Sequence, residues 1–189
     1  MIDKIINEAT GAVTAAIKGT GDIASAITGT VKDQVIGVIQ GSGEIAVTTV
    51  DAVAAVATGS LKAAGDVGSS LTEAIASTMS GAVKGTSSVG GDVMSSVFGA
   101  AQGVIKGTAE TGGDIGAAAV SAVQGAINAA GDVGADTAEA AKSAVGGAME
   151  AATSVGGEAV STVKDALLAS AALPRDVIEA AIKGSEDKK

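Results

Sequence analysis

Apolar positions recur along this chain at a fixed interval of 22 residues without a gap, so that one column holds Ile17, Ile39, Leu61, Val83, Ile105, Ile127 and Met149. A second column runs from Ile23 to Val177 and a third from Val31 to Val163 in the same register. Twenty-two is two elevens, and eleven residues make three helical turns at about 3.67 residues per turn, far from the two-residue period of a strand. At roughly 98° per residue the columns of Ile17, Ile23, Ile27, Val31 and Val35 fall on one sector about 130° wide. The pattern predicts an all-α chain with a double-hendecad repeat.

The opposite side is polar. Lys18, Lys62, Lys84 and Lys106 form one column, Asp22, Glu44, Asp66, Glu110 and Asp132 another, and Asp92, Asp114, Asp136 and Glu158 a third. Lys18 with Asp22, Lys62 with Asp66 and Lys106 with Glu110 stand at i,i+4, where an exposed ion pair contributes about 0.2–0.5 kcal/mol. These charges mark a solvated face. They recur once per copy without a converging partner, so no catalytic pair and no metal site is read from them.

Small residues obey the same period. Gly37, Gly59, Gly81, Gly103, Gly125 and Gly147 form one column, and Gly68, Gly90, Gly112, Gly134 and Gly156 another, begun by Ala24 and Ala46. A loop of arbitrary length would release the helical phase, yet the register passes unchanged through Gly90-Gly91, Gly112-Gly113 and Gly156-Gly157. Both columns are therefore expected at helix-packing contacts, as are the small-xxx-small spacings of Gly99, Gly103 and Gly107. Residues 1–173, which contain no proline, read as a near-continuous helical rod of roughly 250 Å, followed after Pro174 by a short helix and a charged tail over 174–189. Loops of equal length placed once per copy are the rival that also keeps register.

Energetics decide what such a rod can do. Each interior glycine costs a helix up to about 1 kcal/mol relative to alanine, so the 27 glycines before Pro174 would cost an isolated rod roughly 20 kcal/mol. Close helix–helix approach through Gly and Ala is what can offset this. A homo-oligomeric right-handed coiled coil, bundle, fibre or tube is expected, with the Ile17–Met149 column in its core.

Composition removes most other functions. With no His and no Cys there is no imidazole base, thiolate nucleophile, usual zinc site or disulfide, so no enzyme and no cofactor is expected. A net charge of −9 and a single aromatic residue, Phe98, argue against nucleic acid. Gly19-Thr20-Gly21 and Gly90-Gly91-Asp92 lack the preceding strand and the Lys-Ser/Thr ending of a phosphate loop. The start, Met1 to Glu8, lacks a basic region followed by an apolar run, so no signal peptide is expected and the location is cytoplasmic or membrane-associated. The longest uncharged stretch, 115–131, falls short of the ~20 apolar residues that span a bilayer.

The segments Ile17-Lys18-Gly19-Thr20, Val83-Lys84-Gly85-Thr86 and Ile105-Lys106-Gly107-Thr108, with the Val-Gly-Gly texture around them, resemble the 11-residue repeats of perilipins and synuclein. The period itself is similar to that of right-handed hendecad coiled coils. The resemblance implies extended helices that coat a lipid surface or act as scaffolds, without catalytic residues. The expectation is thus a self-assembling structural protein, with a lipid- or membrane-associated amphipathic helix as the alternative.

Overall fold

In a computed structural model the described residues, 2–41 and 49–186, are helical and contain no strand. The continuous rod is not what forms. Among the described residues there are nine separate helices: α1 (Ile2–Thr20), α2 (Ile23–Gly41), α3 (Thr49–Asp66), α4 (Leu71–Ser88), α5 (Val93–Glu110), α6 (Ile115–Asp132), α7 (Thr137–Val155), α8 (Ala159–Ala169) and α9 (Arg175–Glu186). From α3 to α6, eighteen residues of helix and four of turn make up the repeat of 22. Equal turns keep the register, which is why the period alone reads equally well as a rod.

The turns have a local cause. In the Gly68, Gly90, Gly112 and Gly134 column every glycine has φ between 68° and 73°, the left-handed conformation that closes a helix. Gly91 N–H then donates to Thr86 O at 2.9 Å and Gly90 N–H to Ser87 O at 3.2 Å, the paired bonds of a Schellman cap. Gly113 to Thr108 and Ala135 to Ala130 repeat the longer bond at 2.9 and 2.8 Å. Two residues after Gly90, Gly112 and Gly134 an aspartate starts the next helix, while after Gly68 the N-cap is Ser70, whose side chain makes no capping bond. Asp92 accepts from Met94 N–H and Ser95 N–H, Asp114 from Ala117 N–H, and Asp136 from Ala138 and Glu139 N–H. A stop and a start thus sit side by side in Gly-x-Asp.

The helices stack in two rows. The most extensive contacts join helices two apart in the chain, α1 to α3, α3 to α5 and α5 to α7 in one row, α2 to α4 and α4 to α6 in the other. Successive helices touch across the rows more lightly. Contacts between α3 and α5 advance together along both helices, Gly99 against Val50, Gly103 against Ala54 and Gly107 against Thr58, so stacked neighbours run parallel. The apolar sector fills the space between the rows. Leu61, Val83 and Ile105 are fully buried there, Ile17 and Met149 nearly so, while Ile39 and Ile127 are half-buried against the same core. The C-terminal end departs from the pattern: α8 and α9 are short, Pro174 immediately precedes α9, and Ile178 and Ile182 pack inward while Arg175, Asp176, Glu179 and Lys183 stay exposed. Helix runs on through Glu186, and 187–189 lie outside the described residues.

Candidate functional site

What recurs in this molecule is a seam rather than a cleft. Gly59, Gly81, Gly103, Gly125 and Gly147 are buried where one helix crosses the helix two before it. A Cβ on Gly59 would lie 2.5 Å from Ile6 O, on Gly81 2.7 Å from Thr28 O, and on Gly125 3.1 Å from Met79 Cβ. On Gly103 and Gly147 it would run into the carbonyl oxygens of Ala54 and Phe98. At Gly59, Gly81, Gly103 and Gly147 backbone therefore rests on backbone, an approach only glycine permits, while Gly125 packs against the Met79 side chain. Threonine hydroxyls reinforce it. Thr10 Oγ1 is 2.9 Å from Ile6 O in its own helix and 3.1 Å from Gly59 O in the next, and Thr58 Oγ1 is 2.9 Å from Ala54 O and 3.2 Å from Gly103 O.

The first member of that column differs: Gly37 is exposed, and a Cβ there would meet nothing within 4 Å. The second glycine column is not a packing interface at all. Gly68, Gly90, Gly112 and Gly134 are exposed, Gly156 is half-buried with φ 91°, and a Cβ on any of them would meet open space. They are conserved in register because each turn needs a left-handed residue, not because a neighbour lies close. Ala46, in the same column, and Glu44 of the acidic column lie outside the described residues.

Charges are also placed differently from the i,i+4 expectation. Lys62 Nζ reaches Glu110 at 2.8 Å, from α3 to α5, and Lys84 Nζ reaches Asp132 at 3.2 Å, from α4 to α6. Gln102 donates to Glu150 at 2.9 Å from α5 to α7. These side chains tie stacked helices along their edges. Asp22 binds Ser25 N–H and the Ser25 hydroxyl as the cap of α2, and those bonds hold its carboxyl below the usual range. The Ser95 hydroxyl at 2.7 Å, joined by the Ser95 N–H, does the same for Asp92. The Glu179 carboxylate at 2.8 Å raises Arg175. Glycine two residues before aspartate is the sequence signal for the caps at Asp92, Asp114 and Asp136, whereas Asp22 directly follows Gly21.

One cavity of about 140 Å³ lies between α4, the end of α5 and α6, lined by Leu71, Ile75, Thr108, Asp114, Ala118 and Ser121 among others. It is of the size that holds a benzene-sized molecule. Thr108 Oγ1 is buried without a hydrogen-bond partner, and Asp114 is committed to capping Ala117, so no nucleophile–base pair assembles there. Among the described residues no group of acidic side chains could hold a metal ion, and no helix is long and apolar enough to cross a membrane. No protein-family model matches the chain, and no curated protein matches its sequence.

Proposed function

We propose that this chain is a non-catalytic structural protein, a helical-repeat block that associates with copies of itself by continuing its own stack from the α1–α2 end. The observation that carries the reading is the fate of the three positions facing the preceding helix. In α3, α4 and α5 they are Ala55, Gly59 and Ala63, then Ser77, Gly81 and Gly85, then Gly99, Gly103 and Gly107, and all nine are buried. Their equivalents in α1, Gly11, Ala15 and Gly19, and in α2, Asp33, Gly37 and Gly41, are exposed. Repeat stacks bury their faces against neighbours, so an uncovered seam is where another unit fits. Gly11 and Gly37 lie in helix interiors with open space around them, a cost of up to about 1 kcal/mol each that close approach elsewhere in the chain offsets.

Lipid association has less to stand on, because the Ile and Val sector is occupied by the chain's own core. Among the described residues the large exposed apolar side chains are Ile2 and Val155, far apart in the sequence and too few for a membrane face. Sedimentation velocity over a wide protein range, without lipid, tests the proposal. Concentration-dependent association is expected, and a chain that stays monomeric to its solubility limit while floating with lipid vesicles would refute it.

A further inference from the structure

We infer that the cavity between α4, the end of α5 and α6 is a binding site for a small neutral molecule of about the size of phenol, carrying one hydroxyl group. The recognising group arises from a mismatch between repeats. Thr86 Oγ1 donates to Ser96 Oγ at 2.8 Å, and Ser96 Oγ donates to Ala82 O at 3.3 Å, so both buried hydroxyls are bonded. One repeat later the same two positions hold Thr108 and Ala118, and Thr108 Oγ1, at 1% exposure of the residue, has no partner. Both threonines are turned the same way: a Cβ on Gly113 would lie 2.8 Å from Thr108 Cγ2, as one on Gly91 would from Thr86 Cγ2. With the methyl so placed, the Thr108 hydroxyl is aimed toward Ala118, and both residues line the cavity. Neighbouring repeats match in polarity at this pair of positions, with Ala64 and Ala74 on one side and Ala130 and Ala140 on the other, all buried.

The space beside that hydroxyl follows from how α6 is seated. Where α5 crosses α3, a Cβ on Gly99 or Gly103 would run into the carbonyl oxygens of Val50 and Ala54. In α6 the corresponding positions are Ser121, which lines the cavity, and Gly125, whose Cβ would meet the Met79 side chain at 3.1 Å rather than a carbonyl. Helix α6 thus stands off α4, and a gap of about 140 Å³ opens near their first turns. Ile75, Thr108 and Ala118 are its buried floor, while Thr72, Asp114 and Ala117 are exposed at its mouth. One hydroxyl in the floor is fewer than the about two to four polar partners that hold a buried water. A ligand with an apolar body against Ile75 and Ala118 and a single hydroxyl on Thr108 satisfies both kinds of surface. An ion would lose its hydration to a floor with one neutral hydroxyl, and the Asp114 carboxylate is already engaged by Ala117 N–H.

The test is NMR titration of the isotope-labelled full chain with phenol and with benzene, as wild type, Thr108→Val and Ala118→Ser. Wild type should bind phenol saturably at millimolar concentration, with shifts concentrated at the Ile75, Thr108 and Ala118 amides. Phenol should bind about tenfold more tightly than benzene, the worth of one buried hydrogen bond. Thr108→Val keeps the branched shape without the hydroxyl and should erase that preference. Ala118→Ser places at this site the partner that Ser96 gives Thr86, and should weaken phenol about tenfold or more while circular dichroism shows unchanged helix content. Shifts that do not saturate, or that spread evenly over the chain, would overturn the site. Equal wild-type affinity for the two probes, a phenol preference that survives Thr108→Val, or phenol binding untouched by Ala118→Ser would overturn the role of the Thr108 hydroxyl. None of these outcomes bears on self-association.

Discussion

Alanine placed at Gly103 and at Gly37 should shift stability in opposite directions, although both sites are mid-helix and belong to one sequence column. Gly→Ala in a helix interior gains up to about 1 kcal/mol from backbone propensity. At Gly37 an added Cβ meets nothing within 4 Å, so the variant should gain roughly 0.5–1 kcal/mol. At Gly103 the Cβ would collide with Ala54 O and lie 2.6 Å from Ala57 Cβ, where carbon atoms normally rest about 3.5–4.0 Å apart. Helix α5 must then draw back from α3 by about 1 Å, and the seam at Gly99 and at Gly107, whose Cβ site lies 2.8 Å from Leu61 Cβ, opens with it. Backbone cannot rotate aside as a side chain can, so overpacking here belongs at the upper end of the ~1–3 kcal/mol range. After the propensity gain, a net loss of roughly 1–2 kcal/mol remains, and the two variants should differ by about 2–3 kcal/mol. Urea titration followed by far-UV circular dichroism, with the slope monitored for loss of two-state behaviour, measures the difference. Midpoints that move together, or a Gly103→Ala variant more stable than wild type, would refute the close-approach account.

At Gly112, where φ is +70° and space is open, alanine should cost about 1–2 kcal/mol by thermal denaturation and asparagine clearly less, since strain rather than collision is at issue. Ser95→Ala removes the hydroxyl that does most to depress Asp92, so the Asp92 carboxyl titration followed by NMR should move up toward the ordinary aspartate range. Because the folded value lies below the unfolded one, this cap contributes above the ordinary aspartate range and is lost as pH falls through the depressed value, so Ser95→Ala should lower stability at neutral pH, with the difference from wild type vanishing in acid. Glu110→Gln breaks the ion pair with Lys62, whose side chains are 48% and 40% exposed, and should cost less than about 1 kcal/mol, a loss that disappears in high salt.

The helical class, the period and the buried column could be read from the residues, because apolar spacing near 3.6 is a direct image of a helix face. The helix ends could not be read from the period, since two hendecads and an eighteen-residue helix with a four-residue turn have the same length. What separates them is local chemistry. Gly90 followed two residues later by Asp92 is a left-handed stop next to an N-cap, and the same pair stands at Gly112 with Asp114 and Gly134 with Asp136. Read as a solvated stripe, those aspartates conceal the turns. Gly103 and Gly112 look alike in the sequence as well, though one is packed against Ala54 and the other bends the chain into solvent. Composition does not distinguish them, because glycine suits both close approach and positive φ.

The strict interval follows from that division of labour. With parallel stacked neighbours two helices apart, each glycine of the Gly59–Gly147 column must arrive opposite the backbone of the preceding helix in its row. One residue added to a turn would move the next helix along its path, and one added inside a helix would rotate every later position by about 100°, taking the glycine off its seat. A core without Trp or Tyr, in a chain whose one aromatic residue is the half-buried Phe98, has no bulky aromatic side chains with which to fill the resulting gap. Thin layers of Ala, Val and Ile hold only while helices stay close, closeness requires glycine at each crossing, and glycine at each crossing requires turns of one length. The period of 22 is thus a constraint on helix seating within one chain. An extended supercoil is not required to account for it.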